Sequence, residues 1–301
     1  MARAPEPHPA QRMRTSGRIE AGVPLKAILG RQTIVLLAES LQAVVPGFDG
    51  AGFRAAANRG LEPMALLARG AHIADRLAAH LPVDFDEAAP LLIAAMGPVL
   101  TATEGNGLAP FFYLPHSHYI ATRGVGSFTS GMRANYELTR RFTAEYSLRP
   151  YLIAHQDASL VELTRWAVDA DPHVRRAASE ATRPRLPWAM RLPAFQRDPA
   201  PVLPILETLK DDPVLYVRRS VANHLGDILK DHPPVVHAIC HRWIDEIAAS
   251  GFDPVIADNR RWMIRHAVRL HAKQGERTAL ALRAAAKAKT QRATVRGRSA
   301  G

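Results

Sequence analysis

The chain has a single cysteine, Cys240, in 301 residues. One thiol excludes an intrachain disulfide framework and a cysteine-built zinc cluster, and it fits a reducing compartment, so a cytoplasmic location is expected. Long apolar runs are also missing. No stretch approaches the roughly 18 apolar residues of a membrane span, and the Arg/Pro-rich start lacks an apolar leader segment, so neither export nor membrane insertion is expected. Alternating β-branched runs are scarce, which argues against sheets. Finally, the body has little net charge. Of the formal +11, residues 271–301 carry +7 and residues 1–18 carry +3. The two ends can assist polyanion binding or simply be solvated, so any specific site must come from the body.

What is present is a 47% hydrophobic chain whose Ala- and Leu-rich clusters recur at helical spacing and stop at Pro or Gly. This predicts an all-α fold. Residues 61–82 and 235–251 are clear helical stretches, whereas 103–130, with its aromatics, glycines and polar punctuation, reads as a loop with short helical pieces. An internal repeat organises the rest. "DPHVRRAASEA" (171–181) and "DPVLYVRRSVANHLGD" (212–227) share an Asp-Pro turn and a Val-Arg-Arg triplet, spaced 43 residues apart. Each follows an apolar helix, 160–168 and 201–209. Residues 253–273 look like a third copy and 136–152 like a degenerate earlier one. The period and the helix, turn, helix unit are HEAT-like, so a curved superhelix is expected, its concave groove lined by the second helices. The expected organisation is a disordered basic arm over 1–18, a repeat body over 19–273 and a basic tail over 274–301.

The repeat register aligns Arg141, Arg176 and Arg219, with Glu145, Glu180 and Asn223 four residues further on and Asp227 one turn beyond. Either these form ordinary i,i+4 surface pairs, or arginines and carboxylates converge in the groove. Glu180 stands out. Pro184 and Pro187 must end its helix, so the acid faces the negative end of the macrodipole, against local preference. Arg183, Arg185 and Trp188 follow in a basic loop. His116 and His118 could suggest metal ligands, but neither a cysteine partner nor a helical His-Glu-x-x-His pattern accompanies them.

The stretches "RRFTAEYSLRPYL", "VRRAASEATRPRLPW", "DPVLYVRRSVANHLGDILKDHP" and "RRWMIRHAVRL" resemble, in order, the DNA alkylation repair glycosylases of the AlkC/AlkD-type HEAT-like repeat superfamily, most of all its AlkC branch. The resemblance runs from about residue 22 to about 280. Departures are small: Ala181 and Ala189 where glycine is common, and Gly226 where asparagine is common. Some relatives carry an immunoglobulin-like domain after the helices. The resemblance implies a hydrolase that removes cationic alkylated bases such as 3-methyladenine from double-stranded DNA, starting base excision repair. It implies no cofactor and no metal, a monomer, and a nucleoid-associated cytoplasmic location. Glu180, Glu145 and Asp227 are then the candidate catalytic acids. Trp188, Arg176, Arg219, Arg183, Arg185 and Asn223 are the candidate nucleic-acid contacts. The rival reading is a non-catalytic HEAT-like scaffold that binds protein or nucleic acid.

Overall fold

A computed structural model of the chain describes residues 6–249 and 251–287. Among these residues every regular element is helical. The chain's contacts fall into two compact units, one ending at Thr208 and one beginning at Leu209. The sequence predicts one body over 19–273. Stacked repeat helices touch mainly their neighbours, so no single core has to embrace the whole array.

The first unit holds α1 (Arg31–Gln42), α2 (Gly50–Asn58), α3 (Leu66–Ala78), α4 (Phe85–Ala94), α5 (Leu114–Arg123), α6 (Phe128–Thr139), α7 (Arg149–Ala154), α8 (Gln156–Trp166), α9 (Pro172–Ala181), α10 (Pro193–Arg197) and α11 (Leu203–Thr208). Each helix packs on near neighbours: α3 on α5, α4 on α6, and α9 on α6, α8 and α11. The second unit holds α12 (Leu215–Ile228), α13 (Pro233–Ala248), α14 (Pro254–Ala267), α15 (Arg269–Lys273) and α16 (Arg277–Ala285), with α12 lying along α14 and α16 against α13 and α15.

The three Asp-Pro turns do what their chemistry allows. Asp171 and Asp253 cap α9 and α14, accepting backbone N–H groups from His173 and from Val255 and Ile256, with proline at the first helical position, where its missing N–H costs nothing. Before α12, Asp212 accepts the Val214 N–H at 2.8 Å. The degenerate copy at 136–152 differs: α6 stops at Thr139, and residues 140–148 form a turn rather than a second long helix.

Three other stretches carry more regular structure than their composition suggests. Residues 103–130 are mostly ordered helix, because Leu114–Ala121 are all buried and α5 serves as a core element. Within the arm expected over 1–18, residues 1–5 lie outside the described residues. Pro9–Arg12 forms a 3-10 turn, fixed where His8 Nε2 meets the Ala95 carbonyl at 3.2 Å and Arg12 pairs with Glu39. Within the expected tail, α16 buries Ala279 and Leu282, and residues 288–301 lie outside the described residues. Among the described residues, no helix is long and apolar enough to cross a membrane.

Gly131 illustrates how tightly α6 is packed. A Cβ there would collide with the Tyr151 ring, whose hydroxyl donates to the Ile120 carbonyl at 3.1 Å.

The two histidines weighed as metal ligands lie inside α5. His118 Nδ1 meets the Tyr146 hydroxyl at 3.2 Å, and His116 is fully buried. Burial pushes His116 down to about 3, helped by the charge of His8, and burial pushes His118 down to about 4. A histidine held neutral in the fold protonates first in the unfolded chain. Its stabilising contribution is therefore present above pH 6.5 and is lost as pH falls from 6.5 toward about 3. The variant His116→Leu is expected to lose about 2 kcal/mol less stability than the parent between pH 6.5 and 5, at about 1.4 kcal/mol per unit for one proton. Denaturant melts at the two pH values check this. Parallel losses in both proteins would contradict it.

Candidate active site

Helix α9 carries Glu180 to its last turn. Alanines 177, 178 and 181 are fully buried and let the helix approach its neighbours closely. Thr182 then ends it, its hydroxyl donating to the Ala178 and Ser179 carbonyls at 2.8 and 3.1 Å. Glu180 is only 3% exposed. Its Oε1 lies 2.7 Å from Arg183 Nη1 and 3.4 Å from Arg176 Nη2.

Glu145 reaches the same place from a different element. It sits in the turn after α6, so the expected i,i+4 pairing of Arg141 with Glu145 does not form. Arg141 instead pairs with Glu137 at 2.6 Å. Glu145 is 2% exposed, and its Oε2 accepts from Arg176 Nη1 at 2.9 Å, the same nitrogen that donates to Thr143 Oγ1 at 2.8 Å. Arg176 thus bridges two buried carboxylates. Burial raises the Glu145 carboxyl above its ordinary range. Arg176 opposes that shift and the charge of Glu180 adds to it.

The i,i+4 pair Arg176–Glu180 therefore exists, but as part of a desolvated four-residue cluster rather than on a solvated face. Arg176 and Arg183, expected at phosphates, have donors turned to carboxylates. A guanidinium this buried needs its donors satisfied, and here the carboxylates satisfy them.

The loop after α9 carries the aromatic. Trp188 is 53% exposed, while Leu186 and Leu192 on either side are buried and the Leu192 N–H closes on the Pro184 carbonyl at 3.1 Å. Arg185 is half-buried, and the Gln196 amide oxygen, suitably turned, accepts from it at about 3.2 Å.

The remaining candidates belong to the second unit, on α12. Arg219 is exposed. Asp227 is buried in the last turn, with Oδ1 3.2 Å from Lys230 Nζ. Asn223 accepts from Arg269 Nη2 at 2.9 Å and lies 3.2 Å from His266 Nε2, so its amide oxygen serves packing within the unit. Burial, with Arg269 and Arg219 nearby, pushes His266 down to about 4.

Two participants escape sequence reading. Thr143 shares Arg176, and Arg149 is fully buried with its guanidinium on backbone carbonyls at the end of α9 and in the loop that carries Trp188. Nothing in the order of residues distinguishes Arg149 from the solvated arginines. Among the described residues, no three His, Cys, Asp or Glu side chains gather as metal ligands.

No family model matches the chain. Uncharacterized protein YhaZ of Bacillus subtilis (strain 168) is 38% identical over 182 residues, covering 60% of this chain and 47% of its own length. The chain thus spans about half of that relative. A solved structure of Pseudomonas fluorescens alkylpurine DNA glycosylase AlkC, bound to DNA containing an abasic site analog, superimposes with a TM-score of 0.74 at 36% identity, covering 87% of this chain and 68% of that one.

Proposed function

The chain belongs to the AlkC family of alkylpurine DNA glycosylases, and on that premise we propose that it hydrolyses the N-glycosidic bond of cationic alkylated bases, such as 3-methyladenine, in double-stranded DNA. The observation that carries the reading furthest is the pair of buried carboxylates sharing Arg176, next to a loop that exposes Trp188. A surface used only for docking has no need to desolvate two acids together, which is costly.

The chemistry suits that arrangement. An N3- or N7-alkylated purine is positively charged, so when its bond to C1′ breaks the electron pair neutralises the base, which departs without a proton donor. The deoxyribose left behind develops oxocarbenium character, and the fixed negative charge of Glu180 and Glu145 stabilises it without reorganisation. Water then adds at C1′ and gives up its proton. The raised Glu145 carboxyl is the stronger base for that proton. Trp188 offers its ring face to the cationic base or to the sugar. Arg219 and Arg185 hold phosphates, which orients the duplex without reading its sequence. Asp227, buried late in α12, is the candidate acid of the second unit. The protein acts as a monomer in the cytoplasm, at the nucleoid where its substrate lies.

Chromatography of bases freed from methylated duplex DNA, in EDTA, tests the proposal. Release of 3-methyladenine well above the spontaneous rate is expected. Release at the spontaneous rate would leave only a binding scaffold.

A further inference from the structure

We infer that Arg149 is a positioning residue for base excision, because it locks together the helix end that presents Glu180 and the loop that presents Trp188. The inference rests on the proposed excision reaction.

Arg149 opens α7 and has no exposed surface. Its Nη1 donates to the Ala181 carbonyl at 3.0 Å, its Nη2 to the Arg183 carbonyl at 2.9 Å, and its Nε to the Met190 carbonyl. Those three acceptors have specific places. Ala181 is the residue after Glu180 and the last of α9. Arg183 and Met190 flank the six residues 184–189 that contain Trp188. One rigid guanidinium therefore ties the root of the acid to both ends of the aromatic loop. Its charge also lies at the C-terminus of α9, where it offsets the negative helix end that disfavours Glu180.

The chemistry of the side chain explains why arginine stands here. Burying a cation is costly unless its donors are satisfied, and the planar fork satisfies several carbonyls at fixed angles. Lysine supplies a point charge on a flexible stem and cannot span three carbonyls in this way. The same device occurs at Arg69, which is 3% exposed and donates to the Met64 and Glu62 carbonyls nearby in the chain and to the distant Lys26 and Leu29 carbonyls. Arg69 touches no residue of the acid cluster or of the Trp188 loop in these contacts. It provides the comparison for a clamp with a structural role alone.

The test is a double-mutant cycle on the full chain with Arg149→Lys and Trp188→Ala, using single-turnover excision from methylated duplex and affinity for plain duplex. Arg69→Lys is the control, and all proteins are assayed well below their melting temperatures. Arg149→Lys is expected to slow excision at least tenfold with little change in plain-duplex affinity, and to slow it far less when Trp188 is already alanine, because the two act through one loop. Arg69→Lys is expected to lower melting without changing the rate. Trypsin gives a readout independent of activity: the bond from the exposed Arg191 to the buried Leu192 should resist in the parent and be cut in Arg149→Lys. An unchanged rate in Arg149→Lys overturns the inference, as does an equal loss in both Trp188 backgrounds. So does failure of the Arg149→Lys chain to fold, which makes the residue a clamp of the whole fold. If the parent itself releases no base, the excision reading falls, and trypsin still decides whether Arg149 holds the loop.

Discussion

Replacing Glu180 with glutamine is expected to slow single-turnover excision by about 100-fold or more, equivalent to about 2.7 kcal/mol of barrier. Glutamine keeps an oxygen that can accept from Arg183, now at 2.7 Å, so the local geometry is retained while the charge is removed. Arg176 keeps its 2.9 Å partner in Glu145. Stability is expected to fall by about 1–2 kcal/mol, because two buried guanidinium groups lose part of a charged partner. The contrast is Arg219→Ala. Arg219 is exposed on α12, and in the phosphate-holding role proposed for it a side chain carries no lesion information. Its loss should weaken binding to methylated and plain duplex alike and flatten the salt dependence by about one counterion. Excision rate, duplex affinity and melting on the two variants separate the roles. A lowered melting temperature with an unchanged rate in Glu180→Gln would make that acid a structural ion-pair partner, and the catalytic charge would pass to Glu145 or Asp227.

The second large effect concerns stability, in the other unit. Arg260→Met is expected to cost about 3 kcal/mol, the lower end of what breaking a buried pair costs, because the carboxylates it serves are themselves about one-third exposed. Arg260 is 1% exposed, with Nε 2.8 Å from Asp211 Oδ1, a second contact to Glu246, and its guanidinium over the Phe252 ring at 5.0 Å. Glu246 also receives Lys210 and Arg242, each at 2.9 Å. Burial alone would raise the Glu246 carboxyl, but those cations hold it below its ordinary range. By comparison, Arg165→Ala breaks an exposed i,i+3 pair with Glu162 and should change stability by no more than about 0.5 kcal/mol. Denaturant melts of the two variants test the difference. Similar small losses in both would show that Arg260 is dispensable.

Local chemistry carries much of this protein openly. Helical spacing, proline punctuation and the 43-residue Asp-Pro repeat are short-range features, so the all-α class, the capped starts of α9 and α14, and the late-helix place of Glu180 can be read directly from the order of residues. Where register was carried into a degenerate repeat, it failed. Residues 140–148 turn rather than continue as helix, and Glu145 reaches Arg176 from that turn instead of from an aligned helix face. The 103–130 stretch misled for the opposite reason: its glycines and aromatics look loop-like, yet burial of Leu114–Ala121 outweighs local preference.

By itself, then, the sequence determined the all-α class, the Asp-Pro joints, the motifs of the family and the candidate acids. Only the tertiary structure decided which arginine meets which partner. Arg176 and Arg183 face carboxylates, Arg149 faces carbonyls, Arg260 sits over a phenylalanine, and Arg219 remains at the surface. The physical reason is that a guanidinium is chemically the same at every position along the chain. Its role is set by how much water the fold leaves around it and by the acceptors that distant segments bring within reach, and neither is a property of neighbouring residues in the sequence.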